Sequence, residues 1–516
     1  MDVDDMLMEA GGFGRYQWLL MALFSVINVL SAFHYFGQTF ISLAPDHWCA
    51  DDGNSSSEAL DCAGGWQFDY NSTYGFRTVV SELGWVGAQS WKPAAGQSLF
   101  FVGSVLGTLS LGLLADRVGR LPVLVLANLI GLLGDVATAF SNDLAQFSAA
   151  RFVAGAATDS NFVMMYIIVM EYTPARWRTA GLNLCIGVFY CSGSALVPWL
   201  AALCGDWRAF LLVAGLPQAL APACWPLLAE SARWLLDRRL VARAAAGFRR
   251  VARCNGAVVP PRVWDRFTKI WTNKPTSDKN PNFLGLFATP RLRRKMCILI
   301  FKSVVLTVSY DAISRNVSGL GLSPFAVFSA SSATILPSCA LILALQDRAG
   351  RKALASSSLL ATGLCVAAAG VLRASLPPDG TGPLAALVLS GVGRFCVNVA
   401  YNSGAQYAAE LIPTAVRGQG VAAVHVAGYA ASFFSPYILY TGEYWKPAPE
   451  LLLGGLSVIG AALCLLLPET TGKTLPHSLA DGEAFGEGEG VWQFACCKRR
   501  QPPADNSSPH LRESAA

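Results

Sequence analysis

Long apolar segments alternate with short polar gaps along most of the chain. A helix needs about 20 apolar residues to cross the hydrocarbon core of a bilayer, and the chain has twelve candidate segments. They lie at 17–41, 97–115, 121–140, 146–170, 179–203, 208–229, 296–315, 323–346, 353–373, 384–409, 418–440 and 450–467. The pattern predicts an all-α membrane protein with twelve transmembrane helices.

Two long polar loops predict the orientation. Residues 42–96 carry seven acidic and two basic side chains, whereas residues 231–295 carry sixteen Lys or Arg and three Asp. Basic loops stay on the cytoplasmic side, so we expect the basic linker and both termini inside and the acidic loop outside. The acidic start of the chain lacks the basic region of a signal peptide. A multi-pass protein of the plasma membrane is therefore expected.

The composition excludes other classes. Of 516 residues, 53% are hydrophobic and 14% are charged, and the mean hydropathy is +0.41. Soluble domains carry roughly 25% charged residues. The net charge of +5 reflects a linker facing anionic lipid and gives no reason to expect nucleic acid. The histidines form no metal motif, and the "GKT" at 472–474 lacks the glycine that a phosphate loop needs at Leu467. We expect no enzyme activity, cofactor or metal.

Three motifs recur in the same order. Asp116 in "GLLADRVGR" precedes Asp347 in "LALQDRAGR" by 231 positions. "EYTPARWR" at 171–178 precedes "ELIPTAVR" at 410–417 by 239 positions, and "ESARWL" and "ETTGKTL" share that offset. The repeat predicts two related six-helix halves with a binding site between them, as in many secondary transporters.

The repeat also predicts the domain boundaries. The expected parts are a cytoplasmic N-terminus (1–16), a first half (17–230) containing the outer loop 42–96, a basic linker (231–295), a second half (296–468), and a cytoplasmic, largely disordered tail (469–516).

The motifs resemble those of the major facilitator superfamily, and within it the family of organic cation, organic anion and carnitine transporters. They include "PDHWC" at 45–49, "ESARWLL" at 230–236, the long match at 393–420 and "LPETTGKTLP" at 467–476. The resemblance extends from about residue 8 to 476. It implies the major facilitator fold and transport of small organic ions by alternating access, as a facilitator or an exchanger. The other expected partner is the lipid bilayer; the sequence predicts no oligomeric state.

The resemblance further implies that the charged motifs form a cytoplasmic gating latch, which holds an outward-open state and breaks as the halves rock. Its residues would be Asp116, Arg117, Gly119, Arg120, Glu171, Arg178, Arg233, Asp347, Arg348, Arg351, Glu410 and Arg417. Gly119 supplies backbone freedom for a tight turn. The alternative is that these are solvated loop charges without a gating role.

Ionisable groups inside spans are candidates for the substrate site, because each costs about 2.5 to 3.5 kcal/mol on insertion scales. The spans contain His34, Asp135, Arg151, Asp159, Asp311, Arg315, Arg394 and His425. Asp135 and Arg151 either form a structural ion pair or contact a ligand, and Arg315 is expected to face outside water. The resemblance gives most weight to Arg394, with Tyr310 and Tyr401 at aromatic positions, where each tyrosine belongs either to the site or to the helix packing. Such a cage suits a flat organic anion, or an organic cation through its rings.

The chain departs from the resembled family at three positions. Tyr429 stands where anion carriers typically have Arg and cation carriers Asp; Ile335 stands where many relatives have an acid. Asp159 stands where many cation carriers have Lys. We include all three in the substrate site and leave the substrate open as an anion, cation or zwitterion. The alternative function is a non-transporting receptor or partner protein on the same fold, favoured by the lost charges and disfavoured by the retained latch motifs.

The loops predict modifications. Asn54 and Asn71 lie in glycosylation sequons. Cys49 and Cys62 lie in an oxidising compartment, where they either form a disulfide or remain separate thiols. Cys496 and Cys497 precede three basic residues, and are either palmitoylated or part of an unmodified tail.

Overall fold

The computed structural model describes residues 2–49, 62, 65–273, 283–316, 323–375, 382–473 and 475–494. Eleven helices in this part of the chain are long and apolar enough to cross a membrane. Numbered as transmembrane helices in chain order, the elements are α1 (Arg15–Ile41), α2 (Lys92–Val118), α3 (Arg120–Ala139), α4 (Leu144–Tyr172), α5 (Ala175–Leu184, Cys185–Tyr190 and Cys191–Cys204), α6 (Trp207–Gly215, Leu216–Leu220 and Ala221–Cys224), α7 (Pro290–Arg315), α8 (Pro324–Ala333 and Ile335–Ala349), α9 (Arg351–Ser375), α10 (Gly382–Leu411), α11 (Arg417–Ala431, Ser432–Phe434 and Ser435–Tyr440) and α12 (Ala448–Leu465).

The sixth predicted segment, 208–229, is a broken helix. Pro217 and Pro222 lack the N–H that a continuous helix requires, and the chain passes through three short helical segments here. The all-α membrane fold is confirmed, with eleven spans in the described residues that are long and apolar enough to cross a membrane and this more strongly broken one.

Short elements cover both ends of the bundle. On one end, β1 (Asp46–Cys49) pairs antiparallel with β2 (Trp66–Asp69), next to the helices Val79–Leu83 and Gly87–Gln89. We call this end the loop face. The short helix Thr441–Glu443 also belongs to the loop face. The opposite end, the linker face, carries Val3–Glu9, Ala232–Asp237, Val241–Asn255, Pro261–Asn273, Phe283–Phe287, Thr414–Val416 and Leu479–Ala484.

The outer loop contains one disulfide, which joins Cys49 to Cys62 with a Cα–Cα distance of 5.6 Å. Asn71 is exposed in the turn after β2, and its side-chain amide donates a hydrogen bond to Asp69 at 3.1 Å. Asn54, Cys496 and Cys497 lie outside the described residues.

Glycines allow close packing within the first half. A Cβ atom at Gly103 on α2 would collide with the backbone oxygen of Phe152 on α4, and one at Gly155 on α4 would collide with that of Phe100 on α2. The two helices therefore approach each other closely, and this contact fixes the position of α4 beside the space between the halves.

The halves are joined at the loop face. One hydrophobic cluster there contains residues of both halves, including the rings of Phe36 and Phe328, whose centres are 5.2 Å apart. Ser98 on α2 donates to the backbone oxygen of Phe433 on α11 at 2.9 Å. At the linker face the buried apolar residues instead form separate clusters, one within residues 3–271 and one within residues 286–485. Among the described residues, no apolar cluster therefore joins the halves at the linker face.

A second space lies at the loop face itself. This cavity of about 600 Å³ is lined by both halves, with Trp85 and Gln97 on one side and Arg315, Tyr440 and Glu450 on the other.

Candidate substrate site and gate

Arg394 joins α10 to α7. Its guanidinium carbon lies 4.3 Å from the centre of the Tyr310 ring, and Nη1 donates to the backbone oxygen of Tyr310 at 3.1 Å. Only 2% of the residue is exposed. The structure thus places the predicted cation beneath the Tyr310 ring, where its main contacts are to protein.

Tyrosines from both halves surround this pair. The rings of Tyr310 and Tyr401 have centres 4.9 Å apart. Tyr190 on α5 lies near both of them, and Tyr429 on α11 lies near Tyr401, Tyr190 and Tyr35. We call these five tyrosines the tyrosine cage. The cage brings together three residues predicted for the substrate site, Tyr310, Tyr401 and Tyr429.

Asp159 is the acidic group of the cage. It lies half-buried on α4 and accepts a hydrogen bond from the Ser104 hydroxyl on α2. Its carboxylate acts electrostatically on the hydroxyls of Tyr401 and Tyr429 in the other half. Among the described residues, no Lys, Arg or His forms an ion pair with Asp159. The Asp159 carboxylate therefore has a hydroxyl as its partner and no cation within ion-pair distance among the described residues.

Ile335 lies next to a repeat of the Asp159 contact. Asn398 follows Asp159 by the repeat offset of 239, and its amide donates to the Thr334 hydroxyl on α8 at 3.1 Å. Ile335, the next residue, is buried at the start of the second segment of α8. The second half therefore keeps the polar link between its helices but has an uncharged side chain where the first half has Asp159.

Arg315 is buried, which corrects the expectation that it faces outside water. It is 5% exposed and pairs with Asp311 one turn earlier, Nε to Oδ1, at 2.8 Å. It also donates to the Thr39 hydroxyl at 2.9 Å and to the backbone oxygen of Tyr35 at 2.8 Å. The reason for the burial is that α1 folds over the end of α7 at the loop face, so Arg315 forms part of the join between the halves.

Asp135 and Arg151 form an ion pair inside the first half, with Oδ1 and Nη2 2.7 Å apart. His34 on α1 reaches the other oxygen of Asp135 at 3.0 Å. The charges of Asp135 and Arg151 are thus paired with each other inside the first half. His425, in contrast, is exposed on α11, one turn before Tyr429.

The latch residues of the first half surround a turn at the linker face. Asp116 pairs with Arg120 at 2.9 Å, and Glu171 accepts from the Ser231 hydroxyl at 2.6 Å. Arg178 donates to the backbone oxygen of Thr173 at 3.2 Å, and also pairs with Asp4 at 2.6 Å. The neighbouring side chains of Arg117 and Arg233 are exposed.

The second half repeats these contacts. Asp347 pairs with Arg351 at 2.8 Å, Glu410 accepts from the Thr470 hydroxyl at 2.5 Å, and Arg417 donates to the backbone oxygen of Ile412 at 3.2 Å. Arg348 is exposed. Each of these latch contacts joins residues of the same half, so the geometry is that of two equivalent turn clusters rather than a bridge across the linker face.

Two carboxylates that the sequence reasoning did not assign organise these turns. Glu230 accepts from the backbone N–H of Arg120 at 2.8 Å, and Glu469 accepts from that of Arg351 at 3.0 Å. Each carboxylate caps the positive end of a transmembrane helix. Their shared offset of 239 was the available signal.

Lys302 was also missed. It is 2% exposed within α7, donates to the backbone oxygen of Gly404 on α10 at 2.7 Å, and lies 5.5 Å from the centre of the Tyr407 ring. A lone Lys in the apolar run "ILIFKSVVL" was a visible signal of a buried charge. Its contacts indicate that it packs inside the second half, between α7 and α10.

Comparison with known proteins identifies the family. Residues 68–436 match the family model of the Major Facilitator Superfamily. The chain is 26% identical over 533 residues to an organic cation transporter protein of Drosophila melanogaster, covering 94% of this chain and 95% of the relative. It is 30% identical over 422 residues to organic cation/carnitine transporter 2 of Homo sapiens, covering 82% and 74%.

The fold is similar to that of the xylose transporter XylE from E. coli in a partially occluded inward-open conformation. The TM-score is 0.61 at 16% identity, with 89% of this chain and all of that one covered. At this identity the likeness concerns the fold alone.

The chain belongs to the Major Facilitator Superfamily and, within it, to the family of organic cation, organic anion and carnitine transporters. It is a multi-pass membrane protein that transports small organic solutes, and it is not an enzyme. The receptor alternative is not favoured.

Proposed function

We propose that this transporter carries organic cations by alternating access, with Asp159 and the tyrosine cage as the recognition site. The observation that carries the proposal is the Asp159 carboxylate, which lies among tyrosines and has a hydroxyl but no cation as its partner. An organic cation would neutralise this charge and contact the rings through cation–π interactions. The relatives named for organic cations support the same substrate class.

Arg394 argues against an organic anion as the main substrate. Its guanidinium lies under the Tyr310 ring, donates through Nη1 to the backbone oxygen of Tyr310, and belongs to a residue that is only 2% exposed. An anion would have to displace these contacts and would also face the uncompensated charge of Asp159. Arg394 is therefore proposed to hold Tyr310 in place rather than to bind substrate charge.

The proposed orientation places the linker face in the cytoplasm and the loop face outside the plasma membrane. The excess of basic residues in 231–295 supports this assignment. In that orientation the halves are closed on the outside and the cage is open to the cytoplasm. The two turn clusters around Asp116 and Asp347 would then act as the cytoplasmic latch, meeting when the halves rock to the outward-open state.

Uptake by cells tests the substrate class. Labelled tetraethylammonium and labelled p-aminohippurate serve as the cation and the anion, and uptake is normalised to surface-biotinylated protein. We expect saturable uptake of the cation and about a tenfold or larger loss of kcat/KM in Asp159→Asn. Asp143→Asn is the matched control, because Asp143 caps the start of the same helix through Gln146 and Asn also serves as a cap.

The result that overturns the proposal is saturable uptake of the anion but not the cation. Wild-type kinetics of the cation in Asp159→Asn would remove Asp159 from the recognition site.

A further inference from the structure

The chain beyond α12 packs against the second half at the linker face. We call its described residues 475–494 the strap. Glu483 accepts from the backbone N–H of Leu292 at 2.6 Å, and Glu487 pairs with Arg291 at 2.7 Å. Both contacts fix the strap to the first turn of α7. The strap therefore has a defined position among the helix ends of the second half.

The end of the strap lies over the start of α9. Lys352, in the first turn of α9, is 1% exposed and donates to the backbone oxygen of Gly490 at 3.4 Å. Its Nζ lies 5.8 Å from the centre of the Phe494 ring. α9 has 25 residues and is therefore about 38 Å long, more than the roughly 30 Å of the hydrocarbon core. Its first turn, and with it residues 490–494, thus lies at the boundary of the hydrocarbon.

The surroundings of this end of the strap are those of a membrane interface. On α9, Leu360 and Leu364 are 42% and 58% exposed, as expected for a helix that contacts lipid. Within the strap, Val491 and Trp492 are 41% and 75% exposed. Trp is typical of the interface between membrane and water, because its ring is apolar and its N–H needs a polar partner. These exposed side chains indicate that lipid contacts the strap at residues 491–494.

Two cysteines follow the strap directly. Cys496 and Cys497 come two and three residues after Phe494, and a basic run follows at 498–500. An extended chain covers at most about 3.6 Å per residue, so the Cα atoms of both cysteines lie within about 11 Å of that of Phe494. Cysteines beside a membrane span are substrates for S-acylation, and a basic run attracts the anionic lipids of the cytoplasmic leaflet. The position of the strap therefore brings both thiols within reach of acylation at the membrane surface.

We propose that Cys496 and Cys497 are S-acylated with long-chain fatty acids. The sulfur of each cysteine attacks the carbonyl carbon of a long-chain acyl-coenzyme A. A bond forms between this sulfur and the carbonyl carbon, the bond from that carbon to the coenzyme sulfur breaks, and coenzyme A leaves as a thiol with the proton that the cysteine loses. The inference rests on the proposed function only for the cytoplasmic position of the linker face, where the acyl donor is present.

The acyl chains would tether the strap at its second end. Its first end is already joined to α12 by the chain. One acyl chain binds a bilayer only marginally, whereas two give a stable attachment, so a pair of adjacent cysteines suits a permanent tether. A tether raises the effective concentration of the strap at its docking surface. The acylated strap would therefore keep Glu483 and Glu487 on the start of α7.

Acyl exchange on the full-length protein from cells tests the site. Free thiols are blocked, the disulfide is reduced and blocked, hydroxylamine cleaves thioesters, and each released thiol is labelled with a maleimide polymer that adds a fixed mass. We expect two mass increments in the wild type, one in Cys496→Ser or Cys497→Ser, and none in the double variant. Cys254→Ser is the matched control, because Cys254 is an exposed thiol on the linker face, and it should keep both increments.

Hydrogen exchange tests the tether. The amides of residues 480–490 should exchange about threefold or more faster in the double variant than in the acylated wild type, both purified from cells. Equal exchange would overturn the tether. Mass increments that persist in the double variant would overturn the assignment to Cys496 and Cys497.

A tag at the C-terminus separates the two proposals. Wild-type protein without a hydroxylamine-dependent increment, in which the tag is detected only after the cells are permeabilised, overturns the acylation and leaves the cytoplasmic orientation in place. A tag that is detected on intact cells overturns the orientation and the acylation together. Neither readout requires transport of the cation, so the substrate class is decided by the uptake experiment alone.

Discussion

Arg394 and Asp159 are both charged, but they differ in the protein groups that they contact. Arg394 has a ring and a carbonyl as partners, whereas Asp159 has one hydroxyl. A charge that protein groups already satisfy gains less from a ligand than one that they do not. We therefore propose that Arg394, which the family resemblance emphasised, positions Tyr310, and that Asp159, which departs from the family, recognises the charge of the substrate.

Arg394→Ala should reduce transport by about tenfold or more, mainly through kcat, because Tyr310 loses the group that holds its ring. Tyr310→Leu should have a similar effect, and Tyr310→Phe should stay close to wild type, since the phenyl ring preserves the contact with the guanidinium. The measurement is initial-rate uptake of the cation, normalised to surface protein. Wild-type kinetics in Arg394→Ala would contradict the positioning role.

The sequence predicted these residues individually but not their arrangement. A charge inside an apolar span is visible in one chain, as for Asp159 and Arg394. Whether the charge is already paired depends on helices far away in sequence, such as α7 for Arg394 and α2 for Asp159. Arg315 shows the same limit, because its partners Thr39 and Tyr35 lie more than half the chain away.

At the scale of elements, the repeated turns between α2 and α3 and between α8 and α9 follow directly from the sequence. Gly119 and Gly350 have φ values of 110° and 94°, and each is followed by the Arg whose backbone a carboxylate caps. The repeat therefore predicted both turns, and the structure adds the ion pair inside each of them. It did not predict the broken α6. The segment 208–229 is long and apolar enough for a span, although Pro217 and Pro222 interrupt its helix.

Gly119→Ala should destabilise the first half. Its φ of 110° and ψ of 165° lie in a region that essentially only glycine adopts, at a cost of about 1 to 3 kcal/mol for other residues. The new Cβ would also collide with the Glu230 carboxylate that caps α3. Thermal unfolding of the purified protein should show a lower Tm and cells should show less surface protein.

Gly112→Ala is the matched control for this change. Gly112 lies two turns earlier on α2, and a Cβ there would meet no atom within 4 Å. Alanine favours a helix over glycine, so the control should be as stable as wild type or more so. An equal loss of stability in both variants would show that the turn geometry is not the cause.

At the scale of the whole molecule, the two halves are alike but their contacts with each other are not. Rings and hydroxyls join them at the loop face, as in the contact between Phe36 and Phe328, while the linker face keeps separate apolar clusters. The sequence repeat predicts two halves and a site between them. It does not predict which face is closed, because both states use the same sequence and differ only modestly in free energy.

A cysteine at position 332 should lock the loop face in its closed state. The native Cys191 on α5 already contacts the backbone oxygen of Ser332 on α8 across the two halves, with its sulfur at 3.4 Å. In Ser332→Cys, mild oxidation should link the two sulfurs and stop transport, because rocking requires α5 and α8 to separate at this face, and reductant should restore it. Two controls show how far oxidation affects the other cysteines. One is the wild type, and the other is Ser331→Cys, because the native Ser331 hydroxyl donates to the backbone oxygen of Phe328 in its own helix. Undiminished uptake in protein with a demonstrated 191–332 crosslink would mean that this contact does not open during transport, and the outer gate would have to lie elsewhere.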